Sequence, residues 1–268
     1  MLRPNILVPT DLSMLSMSVL PLARRLGQTT AISVIVPGDP ALSEKEENRR
    51  RAGAFRALTA ELRGHRAREV VPRIAIGDPA ERIASLAKRS DIDLIVMTSH
   101  GRTGLRRALL GSVAERTLQL TARPMLICRG ATGAESLNKA RPVRALVAVD
   151  PTEGGRGLIH AAIPWLRRLG AVVDIVAVVP ASDLRAIRVA RRELDECLLE
   201  IPGEMRGQVK ILKGTARTVL NEVANRSHLL VIGHHLRRGV DRLKHGSLTH
   251  AVMRRAHATL AIGAYSDA

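Results

Sequence analysis

The chain has 268 residues, of which 46% are hydrophobic and 25% charged, with mean hydropathy +0.03. This is globular composition, and the longest apolar runs fall short of the ~18 residues of a bilayer span, so disorder and a transmembrane helix are excluded. Two cysteines, Cys128 and Cys197, exclude a disulfide scaffold or a four-cysteine zinc site. The 42 Lys+Arg against 25 Asp+Glu give +17, which invites anionic partners. Yet Phe55, Trp165 and Tyr265 are the whole aromatic complement, too few for a base-stacking platform.

The opening MLRPNILVPTDLS reads as a strand running into a helix start rather than as a signal peptide, so a cytoplasmic protein is expected. Short β-branched runs follow in chain order at Asn5–Thr10, Ala31–Val36, Val70–Ile76, Asp93–Thr98 and Met125–Cys128. A second set lies at Val143–Val149, Val172–Val179, Gln208–Lys213, His228–Gly233 and Thr259–Ile262. Between the runs lie helical stretches. Ser43-Glu44-Lys45-Glu46 is a capping-box pattern opening a helix towards Leu62, with Ala54, Leu58 and Leu62 at helical spacing. Pro21 and Pro164 stand inside the first helix of each set and are expected to bend it.

The two sets repeat one another. VLPLARRLG (19–27) returns as AIPWLRRLG (162–170), and NILVPTD (5–11) as ALVAVDP (145–151). GDPAERIASLA (77–87) returns as GTARTVLNEVA (214–224), and LLGSVAERTL (109–118) as KHGSLTHAVM (244–253). Residues 1–140 carry 22 basic and 13 acidic side chains (+9), leaving 20 and 12 (+8) in residues 141–268, so the charge is evenly spread. The predicted fold is therefore α/β: two tandem Rossmann-like units, each an open five-stranded parallel sheet with helices on both faces. Their bounds are 1–130 and 143–268, joined by a linker at 131–142, where Gly, Ser, Asn and Ala crowd GATGAESLN (130–138). Any ligand is expected along the carboxyl edge of the strands, at the topological switch point.

The segment after the fourth strand, IVMTSHGRTGLRRALLGSVAERT, carries the chemistry. A buried strand ends at Thr98, a basic glycine loop with Arg102, Arg106 and Arg107 crosses to Gly111-Ser112, and a helix begins. Glycines let backbone amides approach an anion, and Ser112, read as the N-cap, places a helix dipole at the same point. The alternative is that Ser112 merely caps the helix and the glycines merely turn the chain.

Here the sequence resembles the universal stress protein family, through ILVPTD, GDPAE and SHGRTG…LLGSVAERT, and does so twice along the chain. The resemblance implies a five-stranded parallel sheet and, in the family's ATP-binding members, G-x2-G-x9-G-[ST] after strand four. Unit one has Thr98 at the first glycine, then Gly101 and Gly111-Ser112; unit two keeps Gly233, has Leu236 at the second, and closes with Gly246-Ser247. Unit two also reads Gly214-Thr215-Ala216 where unit one has Gly77-Asp78-Pro79. Bulky Leu236 obstructs close approach of the backbone to phosphate, which makes unit one the expected site.

By resemblance, Asp11 ends the first strand at that site, Val36 lies against adenine through its backbone, and Met97 and Thr98 border adenine and ribose. Gly101, Arg102, Gly111, Ser112 and Val113 would hold phosphates. Asp150, Val178, Gly233, Gly246 and Ser247 are the degenerate counterpart. Without the family, Asp11 is an ordinary N-cap and Val36 and Met97 plain core. The implied cofactor is ATP or AMP, with no metal beyond nucleotide-bound Mg. The implied role is binding or regulation, since no residue stands out as a general base; at most weak hydrolysis or self-phosphorylation is allowed. Partners beyond nucleotide would be a regulatory protein, with nucleic acid and membrane disfavoured. The units are expected to pair as an intramolecular pseudo-dimer, with a further homodimer open. GxxxxGK[ST], GxSxG and HExxH do not occur, nor does GxGxxG in the first turn.

Three alternatives stay open beside the nucleotide reading: a nucleotide-free interaction module, a polyanion binder drawing on +17, and a metal site at His234, His235 and His245. Cys128 is expected to be a buried hydrophobe and Cys197 inert, with Arg191 and Arg192 as the one hint of thiolate activation.

Overall fold

The computed structural model describes residues 3–37, 43–89, 91–99, 111–151, 155–180, 183–234, 252–253 and 256–263. The chain divides into two compact units, Met1–Ala131 and Thr132–Ala268.

Unit one contains β1 (Asn5–Pro9), α1 (Met14–Met17), α2 (Leu20–Leu26), β2 (Gln28–Ile35), α3 (Glu44–Gly64) and β3 (Val71–Ile76). It continues with α4 (Pro79–Arg89), β4 (Ile92–Thr98), α5 (Ser112–Leu120) and β5 (Met125–Cys128). Its strands are all parallel, in the order β3-β2-β1-β4-β5. Ile6, Leu7 and Val8 of β1 are each fully buried. Consecutive strand residues face opposite sides, so both faces of the sheet are covered, as near-continuous apolar strands require. The order reverses at β1, where β2 lies on one side and β4 on the other, and this is the switch point.

Helix α6 (Gly130–Lys139) follows, then unit two: β6 (Val143–Val149), α7 (Arg156–Arg168), β7 (Ala171–Val179), α8 (Leu184–Glu200), β8 (Arg206–Lys213), α9 (Ala216–Val223), β9 (Leu229–His234) and β10 (Ala258–Gly263). Its parallel order, β8-β7-β6-β9-β10, repeats that of unit one. All ten expected strands are present, within a few residues of the expected ends.

Two expectations fail. The segment read as a linker is helical over Gly130–Lys139: its small residues let Gly133, Ala134 and Leu137 bury one face, and Glu135 pairs with Lys139 one turn later. Pro21 does not interrupt a helix either. The chain breaks between α1 and α2, and Pro21 occupies the first turn of α2, where a missing N–H costs nothing. Pro164 does lie inside α7. The two units differ locally: Ser18 turns its hydroxyl onto the Leu15 carbonyl at 2.6 Å, whereas alanines, Ala161 and Ala162, precede the same point in unit two.

The capping box forms in full. Glu46 N donates to Ser43 Oγ (3.4 Å) and Ser43 N to Glu46 Oε2 (3.0 Å); the Ser43 hydroxyl, donating to Glu46 Oε2 at 2.6 Å, and then the Ser43 amide hold the Glu46 carboxyl below its ordinary range.

Candidate functional site

The carboxyl edge of unit one brings together the ends of β1, β2 and β4 and the start of α5. The first of these is a polar knot. Thr10 is buried: its amide donates to Ile32 O (2.8 Å), and its hydroxyl meets Ser16 Oγ (2.8 Å) and accepts from Leu12 N (2.9 Å). Asp11 Oδ1 accepts from both the amide (3.1 Å) and the hydroxyl (2.6 Å) of Ser13. The N-cap of α1 is therefore Ser13, which accepts from Ser16 N at 3.1 Å, and Asp11 stands one shell behind it. This replaces the reading of Asp11 as an N-cap.

Val36 follows the last residue of β2 and is 59% exposed, which rules out a core role. Met97 and Thr98 are buried at the end of β4, in register with Ile127 and Cys128. Ser99 N then bonds to Cys128 O (2.8 Å), and Gly111 N returns to Ser99 O (2.6 Å), so the start of α5 is tied to the end of β4. Gly111 is the N-cap of α5, at φ −60° and ψ 143°, and among the described residues no side chain caps the helix. The placement of the cap on Ser112 is thus corrected. Ser112 is the first helical residue, exposed, with its hydroxyl not used in capping, and Val113 is half-buried behind it. The first amides of a helix have no intrahelical acceptor, and the dipole leaves partial positive charge there. A helix start anchored to the switch-point strand is suited to an anion. Gly101, Arg102, Arg106 and Arg107 lie outside the described residues, so the structure joins Asp11, Val36, Met97, Thr98, Gly111, Ser112 and Val113 at one edge.

In unit two, Asp150 follows β6 and is exposed, and Gly233 lies in β9 opposite Ile262. Val178 is not the counterpart of Val36. Gly77 N bonds to Ile35 O (3.0 Å) and Gly214 N to Val179 O (2.9 Å), and both glycines have φ +138°. Val179 therefore matches Ile35, and the residue matching Val36 is Pro180, with Val178 two positions short inside β7. Proline has no N–H, so this position has lost a backbone donor. Apolar residues alone do not mark where the two strands end; the glycine pair supplies the register. Leu236, Gly246 and Ser247 lie outside the described residues.

Arg116 of α5 adds a second contrast. It reaches Glu81 (2.6 Å) and Asp78 (3.7 Å) at the start of α4, where Asp78 also accepts from Glu81 N (3.0 Å). The repeat has Thr215, Thr218 and Ala251 at these three positions.

Among the described residues no group of three or more His, Cys, Asp or Glu side chains is placed to hold a metal ion. His235 and His245 lie outside those residues, as does the side chain of His234. Cys128 is buried and its thiol is pushed up to about 12 by desolvation, the opposite of a reactive thiolate. Cys197 is buried on α8, its thiol 3.7 Å from the Glu193 carboxylate.

Residues 3–129 match the profile of the universal stress protein family. A universal stress protein of Methanocaldococcus jannaschii is 39% identical over 56 residues, 21% of this chain and 35% of that protein. The YxiE universal stress protein of Bacillus subtilis is 44% identical over 55 residues, 20% of this chain and 37% of the relative. The chain thus spans about a third of the curated relatives it matches. Among solved structures, a universal stress protein from Archaeoglobus fulgidus superposes with TM-score 0.68 at 21% identity, covering 98% of this chain and 97% of that one. A functionally unknown Pseudomonas aeruginosa protein gives 0.66 at 19%, covering 97% and 92%. At such identities the superpositions speak for the fold alone. Among the described residues no helix is long and apolar enough to cross a membrane. The chain carries a universal stress protein family domain at residues 3–129 and repeats that domain's topology in its second half.

Proposed function

We propose that this is a cytoplasmic stress-response protein that binds an adenine nucleotide, ATP or AMP, in its N-terminal unit and acts through binding rather than catalysis. The observation that carries the reading is the start of α5, where among the described residues no side chain caps the helix, tied by Gly111 to the end of β4 at the switch point. There, backbone amides and a helix dipole favour phosphate. Ser112 and Val113 would hold the phosphates, and the exposed backbone at Val36 would take the base edge. The buried Met97 and Thr98 would floor the crevice, and Asp11 would face the sugar. Scarcity of aromatics fits a base held by aliphatic and backbone groups. Pro180 in place of Val36 argues that the second unit does not share the role. The evenly spread charge favours a small anion and a regulatory protein partner over nucleic acid.

Native mass spectrometry and calorimetry of the full chain test this reading. Adenine nucleotide bound to wild type and lost in Gly111→Val supports it. The angles at Gly111 suit any L-residue, so that substitution fills space without straining the backbone. No adenine nucleotide at millimolar concentration would leave an interaction module that works without one.

A further inference from the structure

Helix α8 presents a face that its own unit does not use. Ala190, Leu194 and Cys197 are buried, and the opposite side carries Leu184, Arg188, Asp195 and Leu199. Leu184 and Leu199 are 75% and 74% exposed. A single exposed leucine is ordinary. These two stand at opposite ends of one stripe, with the exposed Arg188 and Asp195 between them.

The charges on this helix are segregated. Arg185, Arg188, Arg191 and Arg192 fill the amino-terminal half, and Asp195, Glu196 and Glu200 the carboxyl-terminal half. Asp183 caps the start, accepting from Ala186 N at 2.8 Å, but no acidic side chain stands in the first turn that follows and no basic one in the last. That order opposes the helix dipole, which favours acids at the start and bases at the end. By contrast, α3 follows the rule, with Glu44, Glu46 and Glu47 first and Arg63 last. Glu200 is taken up by Arg156 and His160 of α7 and Glu196 by Arg192, but no described residue of the unit forms an ion pair with Arg188 or Asp195.

A second, antiparallel copy of the helix does. Leu184 and Leu199 are equidistant from the midpoint between Arg191 and Arg192, and so are Arg188 and Asp195. Turned about a two-fold axis at that midpoint, Leu184 of one copy meets Leu199 of the other and Arg188 meets Asp195, twice over. Such self-complementarity is what an isologous two-fold interface requires. The arginines at the axis would repel, but Arg192 is already bonded to Glu196 at 3.1 Å along its own helix. We propose that the outward face of α8 is a homodimerisation surface, the partner being an antiparallel α8 of a second copy of this chain. The inference is independent of nucleotide binding.

Sedimentation equilibrium of the full chain over a concentration series tests it. Wild type is expected to show a monomer–dimer equilibrium. Arg188→Asp and Asp195→Arg are each expected to weaken it by about tenfold or more, about 1.4 kcal/mol. The double variant, which restores both pairs in reverse, is expected to recover wild-type association. Leu199→Ser is expected to weaken it without recovery. Both charged positions are exposed, and unchanged melting temperatures confirm that the variants fold. A wild type that stays monomeric, including one that instead captures an acidic helix, overturns the proposal. So do single variants that associate like wild type, or a folded double variant that does not recover.

Discussion

Unit one turns from β1 into α1 through its own side chains, with Thr10, Asp11, Ser13 and Ser16 bonded to one another within a single turn. Unit two turns from β6 into α7 with a residue borrowed from afar: the N-cap is Gly155, and its amide donates to Glu193 of α8. The amino edge differs in the same way. Asn5 N donates to the Asp93 carboxylate (2.8 Å), whereas Arg144 N donates to His228 Nδ1 (3.0 Å). Backbone demands are retained in both halves, as at Gly77 and Gly214. The chemical groups that satisfy the backbone have changed, and the polar cluster at the candidate crevice persists in unit one.

The glycine pair offers the largest test of this comparison. Gly77→Ala and Gly214→Ala each force an L-residue to φ +138°, at an expected cost of about 1–3 kcal/mol. A new Cβ would also lie 2.6 Å from Arg82 Nε at the first site and 2.9 Å from Val219 Cγ2 at the second. Chemical denaturation should give similar losses at both; a loss in one unit alone would break the equivalence of the two turns.

Removing the caps comes next. Ser13→Ala and Glu193→Ala are each expected to cost about 1 kcal/mol. Region-resolved hydrogen exchange should place the first loss at α1 and the second at the start of α7. A Glu193→Ala effect confined to α8 would contradict the borrowed cap.

The pH response should be smaller and confined to unit two. Burial, with His257 and Arg144 close by, holds His228 below the ordinary 6.5, and its Nδ1 must be unprotonated to accept from Arg144. The unfolded chain takes up this proton at higher pH than the native one. The stabilisation is therefore complete above 6.5 and is lost as pH falls through the native value. Protection of the Arg144 amide, measured against its intrinsic exchange rate, should fall on acidification, and His228→Asp, which copies unit one, should flatten that response around 6.5.

Much of the fold was legible because buried parallel strands are continuous apolar runs and the repeat fixes their number. The helix at Gly130–Lys139 was not. Its glycines and serine read as a loop, and what makes it helical is burial of Gly133, Ala134 and Leu137, a tertiary effect invisible to composition. The break before Pro21 was not legible either, since the matching Pro164 stays inside a continuous helix. At the site, Gly111-Ser112 was legible as a strand-to-helix turn, but which residue caps depends on a single bond from Gly111 to Ser99. Pro180 emerged once the glycine turns had fixed the register of the two units.

Titration of the full chain with ATP by calorimetry, read for stoichiometry, tests the central claim most directly. One site per chain is expected, lost in Gly111→Val and kept in Gly233→Val, a substitution that a strand interior accepts. Two sites per chain, or a site that survives Gly111→Val and disappears with Gly233→Val, would contradict it.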